Sequence, residues 1–263
     1  MTQFNLPSGA HIHDLEARPD PDPEDHWDKL EGAYDQYVDI CMAQGKDWRR
    51  SRSLQQALPS PSRACTYPAR PLNGGSLKRA LPKTGQWHYE PKYNGWRALV
   101  HAPTGTMFNR YGERLTIERE FSAAMALLQQ VQFVSQDSVV EWFDCEALER
   151  RHGLGQGTLM VFDYMVPGSQ EPYLERKAKL RLALSAHDYT QPPQPDRAYV
   201  VLAAAPEKLT AEELYCHLKQ INCQWRCPFY EGLVAKRIDS FYPVQLRSPT
   251  LEFSGWVKHR WAR

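Results

Sequence analysis

The sequence predicts an α+β fold. Short runs rich in β-branched and aromatic residues alternate with turn residues across residues 85–263. Asn94-Gly95 and Pro103-Thr104-Gly105 stand between such runs as hairpin turns do. Two further segments carry helical spacing, so strands joined by hairpins are mixed with packing helices.

Taken in order, residues 1–23 end in Pro19-Asp20-Pro21-Asp22-Pro23 and read as a flexible arm. Residues 24–84 read as a helical extension and linker. Trp27, Leu30, Tyr34, Tyr37, Val38 and Cys41 recur at three- and four-residue spacing. Glu24 and Asp25 suit the first turn of that helix, and Gly45 its end. Pro59 to Pro82 is rich in Pro, Gly and Ser and reads as the linker.

The main domain, 85–263, opens with a strand at Trp87–Glu90, with Lys92 at its end and the Asn94-Gly95 turn after it. Trp96–His101 and Thr106–Arg110 form a hairpin pattern. Glu118–Val131 reads as a helix. Val139–Phe143, Thr158–Phe162, Tyr199–Leu202 and Gly232–Arg237 read as strands. Leu174–Ala186 and Ala211–Gln220 read as helices, the second with Thr210 as N-cap.

Composition narrows the function classes. The 263 residues are 42% hydrophobic, enough for a packed core. No apolar run reaches the ~18 residues of a membrane span, and the first residues lack a signal-peptide pattern, so a cytoplasmic protein without a membrane partner is expected. The net charge is only +1, which neither favours nor excludes a nucleic-acid partner, because a basic face suffices. Cys41, Cys65, Cys145, Cys216, Cys223 and Cys227 are scattered, and read as reduced thiols rather than as a disulfide framework or zinc knuckles.

Lys92-Tyr93-Asn94-Gly95-Trp96-Arg97 carries the chemistry. A lysine at a strand end becomes a nucleophile when its site desolvates it or crowds it with cations. Glu231-Gly232-Leu233-Val234-Ala235-Lys236 and Trp256-Val257-Lys258-His259-Arg260 supply further cations. Earlier in the chain, Lys46, Arg49, Arg50 and Arg52 surround Trp48. That cluster is either a phosphate grip with a base-stacking ring or a solvated turn.

These motifs resemble those of the covalent nucleotidyltransferases, and of ATP-dependent DNA ligases most closely. Lys92, Gly95 and Arg97 match a Lys-x-Asp-Gly-x-Arg pattern, with Asn94 replacing the acid. Asn109-Arg110-Tyr111-Gly112, Phe143-Asp144-Cys145-Glu146, Phe162-Asp163-Tyr164-Met165 and Leu174-Glu175-Arg176-Lys177 resemble the next elements, in family order. The resemblance implies two antiparallel sheets enclosing a nucleotide cleft, flanked by helices. It implies ATP as cofactor, AMP carried covalently on Lys92, and Mg²⁺ or Mn²⁺. Lys236 and Lys258 are expected beside Lys92 as catalytic cations, with Arg260 on the phosphates. Glu90, Arg97, Arg110, Glu146 and Phe162 are expected to bind the nucleotide, with Phe162 stacked on the base. Glu231 and, more weakly, Asp144 are the metal candidates. Arg110, Arg176 and the 46–52 cations are the nucleic-acid candidates.

The expected protein is a monomeric minimal ligase sealing nicked duplex DNA in a bacterial or phage-infected cell. The OB-fold domain usual after this core is missing from the sequence, so the N-terminal extension or a separate polypeptide would replace it. An RNA ligase or other polynucleotide nucleotidyltransferase, and a noncatalytic nucleotide- or DNA-end-binding module, are the alternatives.

Overall fold

The computed structural model describes residues 67–68, 70–74, 86–110, 114–115, 117–131, 133–135, 138–148, 153–166, 168–205, 208–245 and 252–261. All belong to one unit, Ser62–Arg263, separate from Met1–Pro61. The expected arm, the amphipathic segment Trp27–Cys41 and the cations Lys46, Arg49, Arg50 and Arg52 lie outside the described residues.

The strands are β1 (Tyr67–Pro68), β2 (Arg70–Asn73), β3 (Trp87–Tyr93), β4 (Trp96–His101), β5 (Thr106–Phe108), β6 (Val134–Ser135), β7 (Ser138–Val139), β8 (Trp142–Leu148), β9 (Thr158–Met165), β10 (Ala186–His187), β11 (Ala198–Val201), β12 (Tyr230–Arg237), β13 (Val244–Gln245) and β14 (Glu252–Arg260). The helices are α1 (Ser122–Gln130, entered through a 3-10 turn at Glu118–Phe121), α2 (Tyr173–Ala183) and α3 (Ala211–Trp225). No described helix is long and apolar enough to cross a membrane.

Two sheets dominate this α+β fold. One has six strands in the order β10-β11-β9-β8-β4-β5, the other four in the order β2-β14-β12-β3. Their central pairings are antiparallel, as expected, but β10–β11, β11–β9 and β14–β2 are parallel. Residues 70–73 therefore belong to the four-stranded sheet, although their Pro and Asn content reads as linker. Pairing with β14 supplies the register that composition hides.

Three apolar clusters hold these layers together. Ala124, Met125 and Leu128 of α1 pack with Ala98, Val100, Phe143 and Val161 of the six-stranded sheet. Leu214, Leu218 and Ile221 of α3 pack with Tyr93, Phe229 and Tyr230. Leu99, Trp142 and Met165 meet Tyr242 and Trp256 in a third cluster, which joins strands of both sheets. Each large side chain so buried contributes roughly 1.5–3 kcal/mol.

Local chemistry fixes the ends of α3. The Thr210 hydroxyl accepts from Glu213 N, and the Glu213 carboxylate accepts from Thr210 N in return, a capping box. Arg226 closes the helix in the left-handed conformation, φ 51°.

Gly232 serves β12. Its φ is 149°, and a Cβ there would lie 1.8 Å from His259 O, so only glycine lets β12 and β14 close at this point. Beside it, the β12–β3 register shifts between Tyr230 and Gly232. That irregularity sits at Glu231.

Candidate active site

Lys92 lies one residue before the end of β3, opposite Gly232 of β12, and Gly232 in turn pairs with Arg260 of β14. Three adjacent strands thus bring residues from distant parts of the sequence to one rim. They open onto a cavity of about 350 Å³ lined by Glu90, Lys92, Arg97, Arg110, Glu146, Phe162, Glu231, Lys236, Lys258 and Arg260 among others. Every cavity residue named here was a site candidate in the sequence.

The turn after Lys92 is held from two sides. Gly95 N donates to Glu146 Oε1 at 3.1 Å. A Cβ on Gly95 would come within 2.5 Å of Ala147 O, so β8 approaches the turn too closely for any side chain. Lys92 Nζ donates to Glu231 Oε1, which also accepts from Arg260 Nη2 at 3.1 Å. Burial, followed by the neighbouring Glu231 charge, pushes the Glu146 carboxyl up, while Lys92 pulls it the other way.

A buried ionic network forms the cavity floor. Glu90 is 2% exposed, and its Oε1 accepts from Lys177 Nζ at 2.6 Å and from Tyr173 Oη at 2.7 Å. Its Oε2 faces Lys236 Nζ at 2.9 Å. Burial alone would raise Glu90, but the two ammoniums outweigh it and hold its carboxyl below the ordinary value. Lys177 also donates to Phe162 O at 2.8 Å and Val201 O at 3.0 Å. Burial draws its pKa down to about 8, against the pull of Glu90 and with the push of Lys236. Lys236 donates to Phe162 O at 3.1 Å, and its Nζ stands 4.2 Å from the Trp256 ring centroid, 4.9 Å from Phe162 and 5.1 Å from Tyr173.

Several expectations are corrected here. Arg176 is 1% exposed, and its guanidinium grips Asp163 through Nε–Oδ1 at 2.8 Å and Nη2–Oδ2 at 3.0 Å. It cannot face nucleic acid, because α2 turns Arg176 and Lys177 inward and leaves Leu174 outside. Asp144 does not line the cavity. Arg97 donates to its Oδ1 at 2.9 Å and its Oδ2 at 2.5 Å, and Tyr242 Oη donates to Oδ2 at 2.5 Å. A carboxylate so occupied is no metal ligand; it orients Arg97 instead.

Glu90 was expected to touch a nucleotide, yet protein donors claim both its oxygens. Lys236 lines the cavity, but its ammonium faces the floor. Trp256 packs against Lys236. Lys177, Asp163 and Tyr173 were missed as members of this network. Lys177 lay in a motif already singled out, and its burial was the unseen part.

A divalent cation held mainly by phosphate oxygens needs only one or two protein carboxylates. Glu231 fits that requirement, since both its cation contacts fall on Oε1 and leave Oε2 for a metal. Among the described residues, no group of three His, Cys, Asp or Glu side chains could hold a metal alone.

No protein-family model matches the chain. No curated protein matches it either. Solved structures do. The ligase domain of LigD from M. tuberculosis aligns with a TM-score of 0.47 at 20% identity, over 74% of this chain and 59% of that one. A mycobacterial DNA ligase D complexed with ATP and MES aligns at 0.46 and 19% identity, over 75% and 61%. A Chlorella virus DNA ligase-adenylate aligns at 0.40 and 13% identity, over 72% and 68%. The chain spans about three-fifths of the length of the first two.

Proposed function

We propose that this chain is the nucleotidyltransferase core of an ATP-dependent polynucleotide ligase acting on nicked duplex DNA. The observation that carries the proposal is Lys92 at the mouth of a cavity that Lys258, Arg260 and Arg110 also line, with Phe162 in the same wall.

Lys92 must first give up a proton, and Glu231 Oε1 is the acceptor within hydrogen-bond reach. The neutral amine attacks the α-phosphorus of ATP. A P–N bond forms, the α–β phosphoanhydride breaks, and pyrophosphate leaves with the bonding pair. Lys258, Arg110 and Arg260 offset the negative charge that grows on the phosphates. Phe162 offers a flat apolar face to the base. Glu231 Oε2 would hold Mg²⁺ or Mn²⁺, which screens phosphate charge when bound. The lysine-bound AMP then passes to a 5′-phosphate, and attack by the neighbouring 3′-hydroxyl expels AMP and seals the strand.

Intact-protein mass after incubation with ATP and Mg²⁺ tests this reading. A single AMP adduct is expected, absent in Lys92→Ala and absent with GTP. Sealing of nicked DNA beside nicked RNA then reads the substrate. A folded protein, free of AMP at the start, that takes up no adduct would overturn the catalytic reading in favour of a nucleotide- or DNA-end-binding module.

A further inference from the structure

Asn94 occupies the position where the resembled pattern has an acid, and its amide is committed. Its Nδ2 donates to Pro228 O at 2.9 Å, and its backbone N donates to Phe229 O at 2.9 Å. An ionised carboxylate at this position has no proton to donate and would face the carbonyl oxygen instead. On the other side of the same segment, Asn222 of α3 closes a double bond onto Tyr230. Its Nδ2 donates to Tyr230 O at 2.7 Å, and its Oδ1 accepts from Tyr230 N at 2.9 Å. Residues 228–230 are therefore gripped from the Lys92 turn and from α3, immediately before Glu231 leaves the chain at the irregular start of β12.

We infer that Asn94 and Asn222 form an amide clamp that sets Glu231 against Lys92. Both are positioning residues, since neither lines the cavity. The clamp explains why an amide replaces the acid at position 94. Each half holds a main-chain carbonyl, and only a donor can do that. With the clamp shut, the Glu231 carboxylate and the Lys92 ammonium emerge from fixed backbone. With it open, the bulge next to Gly232 is left to wander. The geometry of the clamp stands on its own, whereas its consequence for catalysis rests on the nucleotidyltransferase reading.

The test pairs two readouts on the full chain. Asn94→Asp keeps the side-chain shape and removes its donor, and Asn222→Ala removes both partners of the Tyr230 main chain. Amide hydrogen exchange is expected to quicken about tenfold at Asn94 and Tyr230 in both variants, the effect of losing one hydrogen bond worth ~1.5 kcal/mol. Exchange in the middle of β12 and β14 should stay as in the parent. AMP-adduct formation should slow by a similar factor at saturating ATP, with the half-saturating ATP concentration little changed. A displaced nucleophile alters the rate more than the binding.

Should Asn94→Asp not fold, Asn94→Ala removes the donor without adding charge and is expected to show the same faster exchange. Unchanged exchange at both amides, or weaker ATP binding with an unchanged rate, would overturn the clamp. The exchange measurement uses no nucleotide. A parent protein that shows the clamp but takes no AMP would therefore sink only the catalytic reading.

Discussion

Replacing Glu90 by Gln should be among the most damaging conservative changes in this protein. Glu90 is 2% exposed, and its carboxylate holds two ammoniums that are themselves almost entirely buried, Lys177 at 2.6 Å and Lys236 at 2.9 Å. Gln keeps the volume and removes the charge, leaving like charges facing each other. Removing one partner of a buried ion pair costs about 3–5 kcal/mol. At 2–4 °C per kcal/mol for a chain of this size, the melting temperature should fall by roughly 6–20 °C at pH 7.

The pH dependence sharpens the prediction. Lys177 titrates near 8 in the folded protein and near its ordinary 10.5 when unfolded. Between those values the unfolded chain binds more protons, so parent stability rises with pH across the window. Without Glu90 the folded value drops further, and the window opens at lower pH. The deficit of Glu90→Gln should then shrink by roughly 1 kcal/mol between pH 7 and pH 9.5. Urea unfolding of both proteins at the two pH values measures it. A deficit below about 1 kcal/mol at pH 7, or one that is equal at both pH values, would refute the claim that these charges are buried and mutually dependent.

Two further outcomes are expected. Phe162→Leu keeps apolar volume but loses the flat face. The half-saturating ATP concentration for adduct formation should rise ~10- to 100-fold, in line with ~1–3 kcal/mol for stacking on one base; an unchanged value removes Phe162 from base binding. Gly232→Ala would drive a methyl to within 1.8 Å of His259 O at a φ of 149°. It should cost about 3 kcal/mol or more, seen as an earlier urea midpoint; a midpoint equal to the parent's would show that β12 and β14 do not close there.

The rim of the site was legible because turn residues and strand patterns announce themselves locally. Lys92 sits near the end of its strand and Thr210 caps α3 as the spacing predicts, but Asn94-Gly95 closes no hairpin: the bend carries the chain from β3 of the four-stranded sheet to β4 of the six-stranded one. The floor was not legible. Arg176 read as a cation facing nucleic acid, because charge ordinarily means solvent, and Lys177 carried no role at all. What overrides that rule is a carboxylate for each, Asp163 on β9 and Glu90 on β3, and no local pattern reveals either pairing.

β8 was misplaced for a related reason. Val139–Phe143 has the apolar look of a strand, whereas the real one runs Trp142–Leu148 through Asp144, Cys145 and Glu146. Almost every residue of β8 is buried, so the alternation that marks a half-exposed strand is lost. The place of β2 beside β14 likewise depends on a partner nearly the whole domain away in sequence.

The floor network also has a mechanical consequence. Glu90 and Lys236 belong to the four-stranded sheet, Phe162 and Asp163 to the six-stranded one, and Lys177 ties Glu90 to the carbonyls of Phe162 and Val201. Main-chain bonds between Tyr89 and Ala204, 2.9 and 2.8 Å long, add a second rivet between the layers. Prising the sheets apart would strip nearly fully buried opposite charges from each other, so the cleft would behave as a braced slot rather than a jaw. With the floor braced and the Lys92 turn and residues 228–230 held by their amide bonds, the spacing of Lys92 and Glu231 would be set by the protein before anything enters the slot.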